Sequence, residues 1–214
     1  MAGWVLLDVN GTLTELAPIG APWARPELGL TVLEHAAQTA MVDALPGPAT
    51  RPFSEHIRAA VEVVIADAGL DASLAGEAVA AAAALPARPD AAEALALLAG
   101  AGTRLVALTN SGARAGQATL EACGLAAYVE RVLGVDGVSS FKPHPSVYAY
   151  ALRELKASPP DVTLIATHTW DLAGAGKAGI RTAWVRHGAH GWPAVFPNPD
   201  LQADTLLELA RALA

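Results

Sequence analysis

The sequence predicts an α/β fold, a doubly wound parallel sheet covered by helices, with a helical segment inserted after the first strand. Three observations carry this reading. Short apolar runs alternate with helical stretches in a βαβ rhythm. The first two runs are separated by a long interval without a convincing strand. Polar residues gather just after the runs, at the strand ends where such sheets keep their working groups.

Trp4–Val9 is the first strand, because Val5-Leu6-Leu7 is the unbroken apolar run of a strand buried on both faces. Gly11 and Thr12 then turn the chain. Between Thr14 and Arg88 helices are expected at Glu27–Leu45, Phe53–Ala68 and Leu74–Ala84, punctuated by Pro46-Gly47-Pro48 and by Pro86 and Pro89. The low-complexity run Ala80–Ala84 suits a helix, since alanine is the strongest helix former. Residues 14–88 are therefore read as a helical cap, and residues 1–13 with 89–214 as the α/β core. Within that core the remaining strands are expected at Arg104–Thr109, Arg131–Val135, Val162–Ala166 and Arg181–Val185. Helices are expected at Asp90–Ala99, Ala113–Cys123, Pro145–Lys156, Asp171–Ala178 and Leu201–Leu213. No internal repeat is found.

A chain of 214 residues, 53% hydrophobic and 16% charged, can bury a sizeable core and is not of disordered composition. Its formal charge of −7 disfavours nucleic acid or an anionic membrane surface as a partner. No apolar run reaches the roughly 20 residues of a membrane span, and no basic stretch precedes the N-terminal apolar run, which Asp8 interrupts. One cysteine, Cys123, excludes an intramolecular disulfide and reads as core packing. The expectation is a cytoplasmic protein with a small anionic substrate and no nucleic-acid or membrane partner; a homodimer is left open.

Four pieces fall at strand ends: DVNGT at Asp8–Thr12, LTNSG at Leu108–Gly112, FKPHPSVY at Phe141–Tyr148 and THTWD at Thr167–Asp171. Singly each is an ordinary turn or cap. Together they describe chemistry. An ionised carboxylate, Asp8, can attack carbon or phosphorus and form an ester that water later hydrolyses. A nearby ammonium, Lys142, would keep it charged. Thr109, Asn110 and loop N–H groups can serve substrate oxygens, and Asp171 can fix the lysine or hold a metal.

In this order the motifs resemble the haloacid dehalogenase-like (HAD) hydrolase superfamily over nearly the whole chain, including a cap after the first strand. Lys142 followed by Tyr148, and the Trp170-Asp171 pair, are most similar to the L-2-haloacid dehalogenase branch. The resemblance implies a HAD-like (Rossmannoid) core in which Asp8, Lys142 and Asp171 are catalytic and Asp8 is the nucleophile. It makes Asn10, Thr12, Thr109, Asn110, Tyr148 and His168 the candidate substrate-binding residues, with Thr12 holding the nucleophile loop and Tyr148 lining the pocket.

Asn10 decides between chemistries. Superfamily phosphatases carry a second aspartate there to protonate the leaving alkoxide, and positioned general acids contribute about 10²–10⁴-fold. A halide departs unaided and needs no acid. The dehalogenase branch lacks that acid and uses no metal, so no cofactor is expected in the preferred reading. A phosphatase would instead bind Mg²⁺ through Asp8, the Asn10 carbonyl and Asp171, but Thr167 and His168 stand where a further acid is usual. The branch's own pattern is also altered. It places a tyrosine at position 10 and a halide-binding cap arginine at about Leu33 or Glu34; His35, Arg25, Arg51 and Arg58 lie elsewhere in the cap. His168 could position the hydrolytic water or support the strand end. Three readings stand: a metal-independent 2-haloacid hydrolase, a Mg²⁺-dependent small-molecule phosphatase, and a non-catalytic ligand-binding protein.

GAGKAG, Gly174–Gly179, matches a dinucleotide-binding pattern but lies inside a helix rather than between strand and helix, so close helix–sheet packing explains it better. His187 and His190 have no companion ligands nearby in sequence and are not read as a metal site.

Overall fold

A computed structural model describes residues 3–48, 51–188 and 191–214. Strand β1 (Trp4–Leu7) is followed by four helices, α1 (Ala17–Gly20), α2 (Leu28–Asp43), α3 (Phe53–Ala68) and α4 (Ala75–Ala83). The α/β alternation then runs through α5 (Ala91–Gly100), β2 (Arg104–Thr109), α6 (Ala113–Ala122), β3 (Arg131–Gly134), α7 (Pro145–Leu155), β4 (Val162–Ala166), α8 (Thr169–Lys177), β5 (Arg181–Val185), β6 (Leu201–Ala203) and α9 (Leu206–Leu213).

Among the described residues the strands form one parallel sheet in the order β3-β2-β1-β4-β5-β6, the doubly wound topology expected. The chain winds outward from β1 through β2 to β3, then crosses to β4 on the other side. That reversal puts the topological switch point at the carboxyl end of β1, where such sheets bind ligands.

Side chains alternate along each strand, so one strand feeds two cores. Leu6, Val106, Leu108 and Leu164 pack with α7, α8 and the inserted helices, whereas Val5, Leu7, Leu105, Ala107 and Ile165 pack with α5, α6 and α9. The apolar face of the inserted helices is therefore continuous with one face of the sheet. Where the chain leaves and re-enters the sheet, the two crossings pair: Thr14 bridges Ala87, Glu15 N–H donates to Pro86 O at 2.9 Å, and Arg88 N–H donates to Leu13 O at 2.9 Å.

Two expectations are corrected. Residues 201–203 are a strand, not the start of the last helix: they pair with β5. The helix begins only after Thr205, whose hydroxyl accepts from Glu208 N–H while the Glu208 carboxylate accepts from Thr205 N–H, a capping box present in the sequence and missed there. The helix–sheet packing expected of the α8 glycines fits Gly176, where a Cβ would stand 3.7 Å from Thr182 of β5, but not Gly174. A Cβ on Gly174 would lie 2.6 Å from the Tyr148 hydroxyl and 2.7 Å from Pro143 Cβ, so this glycine lets α8 approach α7 rather than the sheet.

Candidate active site

Asp8 directly follows β1, and its N–H still donates to Ile165 O at 3.1 Å, which fixes the carboxylate over the sheet's carboxyl edge. The turn after it needs Gly11, whose φ of 83° lies in the region where a Cβ is strained. The Val9 carbonyl accepts from the N–H groups of Thr12, Leu13 and Thr14 at 2.8–3.3 Å. Side chains then hold the next three carbonyls: Asn10 O accepts from His168 Nε2 at 2.9 Å, Gly11 O from Arg88 Nε at 3.3 Å, and Thr12 O from His187 Nε2 at 3.0 Å. A carbonyl only accepts, so both imidazoles carry a proton on Nε2. The Arg88 and His187 contacts were not legible in the sequence, because both residues sit far along the chain in loops. The neighbouring His190 lies outside the described residues.

Lys142 is fully buried and spends all three ammonium protons: on Asp8 Oδ1 at 2.6 Å, on Asp171 Oδ2 at 2.6 Å and on Leu108 O at 3.0 Å. Burial alone would push this ammonium down, but the carboxylates of Asp171 and Asp8 override it and hold it above its usual value. Burial likewise works to raise Asp8, yet Lys142, His168 and the hydroxyl of Thr12 bring its carboxyl below the ordinary range. Asp171 goes the other way, raised by burial and, against the pull of Lys142, by the charge of Asp8. Of the two carboxylates, Asp8 is thus the more firmly held in its ionised form.

Thr12 is fully buried; its hydroxyl donates to Asp8 Oδ2 at 2.6 Å and accepts from Thr167 N–H at 3.0 Å, so it faces the loop rather than a ligand. Tyr148 is fully buried as well and does not line the pocket. Its hydroxyl donates to Asp171 Oδ1 at 2.7 Å, and burial with the adjacent Asp171 charge raises the phenol well above its ordinary value. Tyr148 departs from the pocket-lining expectation, because the packing of α7 on α8 turns it under Asp171, whereas Thr12, expected to hold the loop, is enclosed by it. Thr109 Oγ1 accepts from Ser111 N–H at 3.1 Å. Asn110 Oδ1 accepts from Lys142 N–H at 2.8 Å, which leaves its amide N–H groups as donors.

These groups surround a cavity lined by Asp8, Asn10, Thr109, Asn110, His168 and Trp170 below and by Leu33, Ala37 and Phe53 above. The cavity is about 20 Å³, room for a water molecule or two when one water needs roughly 10–15 Å³. Sequence reasoning missed Ala37, Phe53 and Trp170 as lining residues, and Trp170 also stacks on the His168 ring at 5.2 Å between centroids. At the position where the dehalogenase branch would place its arginine, Leu33 faces the cavity, and no arginine or lysine is among the lining residues. Arg25 pairs with Glu27, Arg51 pairs with Asp43 at 3.1 Å, and Arg58 is exposed. His35 is half-buried and does not line the cavity either.

Mg²⁺ demands octahedral oxygen ligation at about 2.0–2.1 Å, and the residues present do not fit it. The Asn10 carbonyl is taken by His168, both Asp171 oxygens by Tyr148 and Lys142, and both Asp8 oxygens by Lys142 and Thr12. Among the described residues no group of three or more acidic, histidine or cysteine side chains could hold a metal ion. No helix among them is long and apolar enough to cross a membrane.

A buried aspartate at the switch point of this sheet is thus tied to a lysine and a second aspartate from later in the chain. The family model for haloacid dehalogenase-like hydrolases matches residues 3–179, and the chain belongs to that family. Among individual proteins it is similar to (S)-2-haloacid dehalogenase 4A of Burkholderia cepacia, 36% identical over 61% of this chain and 56% of that one. It is also similar to the probable phosphatase IndB of Dickeya dadantii (strain 3937), 34% identical over 58% of this chain and 54% of that one. The chain thus spans a little over half the length of these curated relatives. A solved dehalogenase structure superposes with a TM-score of 0.90 at 26% identity, covering 100% of this chain and 97% of the other.

Proposed function

We propose that this protein hydrolyses small 2-halocarboxylates without a metal, through an ester on Asp8. The observation that carries the reading is the occupation of the Asn10 carbonyl by His168 Nε2–H at 2.9 Å, together with Lys142 bridging Asp8 and Asp171. The atoms that a phosphatase of this family would offer to Mg²⁺ are engaged by His168, Lys142, Tyr148 and Thr12, and an amide sits where it would need an acid.

In this mechanism the Asp8 carboxylate attacks the carbon that bears the halogen, and the carbon–halogen bond breaks as halide takes the electron pair. Water then attacks the aspartyl ester carbonyl; the ester is cleaved, Asp8 is regenerated and the 2-hydroxy acid leaves. Overall one water is consumed, and halide and one proton are released. The Asn110 and Asn10 amides are the N–H donors for the substrate carboxylate and the departing halide. Lys142 holds Asp8 ionised, Asp171 holds Lys142, and Tyr148 and Thr12 position these groups from outside the cavity. His168 pins the loop and borders the space where the hydrolytic water must stand. Residues 14–88 act as the cap over a core of residues 1–13 and 89–214, with Leu33, Ala37 and Phe53 as its ceiling.

The test measures halide release from 2-bromopropanoate and 2-chloropropanoate, and phosphate release from a panel of small phosphate esters, each with Mg²⁺ and with EDTA. Halide release unaffected by EDTA is expected. With no cationic halide cradle, the bromo acid should turn over faster than the chloro acid. Phosphate release abolished by EDTA would replace this reading with the phosphatase. Ligand binding without turnover on either panel would favour a binding protein.

A further inference from the structure

Beside the catalytic cavity lies a much larger cleft of about 600 Å³, within the roughly 300–1,000 Å³ of small-molecule sites. It runs between the inserted helices and α6, with Ile57, Val79 and Ala82 on one wall and Ala115 and Ala118 on the other. Asn10 and Phe53 line both spaces, so one amide and one ring are all that is shared between a 20 Å³ cavity and a 600 Å³ cleft. The cleft's charged residues are one of each sign, Arg114 and Asp136, and Asp136 Oδ1 already accepts from Ala113 N–H at 3.0 Å. Nothing there asks for an ionic group, while the wall is dominated by aliphatic side chains.

We infer that the cleft is a subsite for an apolar substrate tail, so that the preferred substrates are 2-haloalkanoates with an extended alkyl chain rather than two- or three-carbon acids. The inference rests on the haloacid reading above. The carboxylate and the halogen-bearing carbon stand against Asp8 and the amides of Asn10 and Asn110, and the chain runs past Asn10 and Phe53 into the cleft. Phe53, the first residue of α3 and 5% exposed, stands with Asn10 at the partition between the two spaces.

The experiment compares kcat/KM for halide release across 2-bromopropanoate, 2-bromobutanoate, 2-bromohexanoate and 2-bromo-octanoate. Each methylene that enters the cleft is worth about fourfold, so the octanoate should exceed the propanoate by at least tenfold. Ala118→Trp fills the cleft from an exposed position of α6 and should erase that gain while leaving 2-bromopropanoate turnover unchanged; Ala82→Trp should do the same from the opposite wall. A flat or falling chain-length profile in the wild type, or an undiminished gain in both variants, overturns the inference. If no bromoalkanoate releases halide, the proposed reaction fails separately, and calorimetric binding of octanoate against propanoate reads the cleft directly. Tighter octanoate binding that Ala118→Trp removes supports the subsite; equal binding, or none, overturns it.

Discussion

His168 Nε2 stands 2.9 Å from the carbonyl oxygen of Asn10 and 3.7 Å from Asp8 Oδ2, so one imidazole lies against two of the three groups that the phosphatase reading would offer to Mg²⁺. The two residues are 158 positions apart in the chain. In the proposed reaction the two belong together: the amide supplies no acid, and the imidazole occupies the carbonyl that would otherwise be open to a metal.

Reversing that pairing should restore a metal site. The double variant Asn10→Asp, His168→Asp presents two further carboxylate oxygens beside Asp8 and frees the backbone carbonyl, giving the hard oxygen set Mg²⁺ requires. Titration calorimetry and thermal shift should register Mg²⁺ binding to the double variant and none to the wild type. An equal Mg²⁺ response in the wild type would contradict the occupied-site reading.

Asp8→Ala should lower halide release by at least roughly 10⁴-fold, as expected for loss of a nucleophile. The fold should survive and its Tm should be unchanged or higher. Asp8 and Asp171 place two negative charges on the single ammonium of Lys142, and deleting Asp8 leaves a balanced buried pair. Circular dichroism and thermal melts check this, and a Tm drop of many degrees would show that Asp8 is a structural partner first.

Tyr148→Phe separates support from substrate contact. The variant strips Asp171 Oδ1 of a buried 2.7 Å donor, which should cost about 1–3 kcal/mol of stability. Because the hydroxyl lies outside the cavity, KM for a small haloacid should hold while kcat falls. A raised KM with unchanged kcat would instead return Tyr148 to the pocket wall.

His187 gives a pH signature. Burial first, then the nearby Arg88 charge, pushes its imidazole down from 6.5 to about 4. Between these values the unfolded chain binds a proton there that the folded chain does not, so this residue's contribution to stability rises with pH and is lost as pH falls from 6.5 toward 4. The difference in Tm between the wild type and His187→Gln, whose amide can still donate to Thr12 O, should change across that window and level off above it. Parallel Tm profiles for the two proteins would remove His187 from the linkage.

Much of the fold was legible because it rests on local pattern. The apolar runs Val5–Leu7 and Leu105–Leu108 read as buried strands; Asp8 and Asp171 follow their strands by a few residues and Thr109 ends its own, so a parallel sheet carries all three to one edge. The edge strand β6 was less legible, since Leu201–Ala203 is short, flanked by polar residues and defined by its pairing with β5. Lys142 was identified by its motif, but that its ammonium reaches Asp8, 134 positions away, is a matter of packing.

By itself, then, the sequence determined the alternation of elements, the carboxylate at the end of the central strand and the absence of an acid at position 10, because periodicity and neighbouring residues act over a few positions. Only the tertiary structure decided that Leu33 rather than a cation faces the cavity, that Tyr148 turns to Asp171, and that His168 closes on Asn10. Those outcomes depend on how helices and loops from distant parts of the chain pack, and side-chain direction in such contacts is set by the shape of the space left between them.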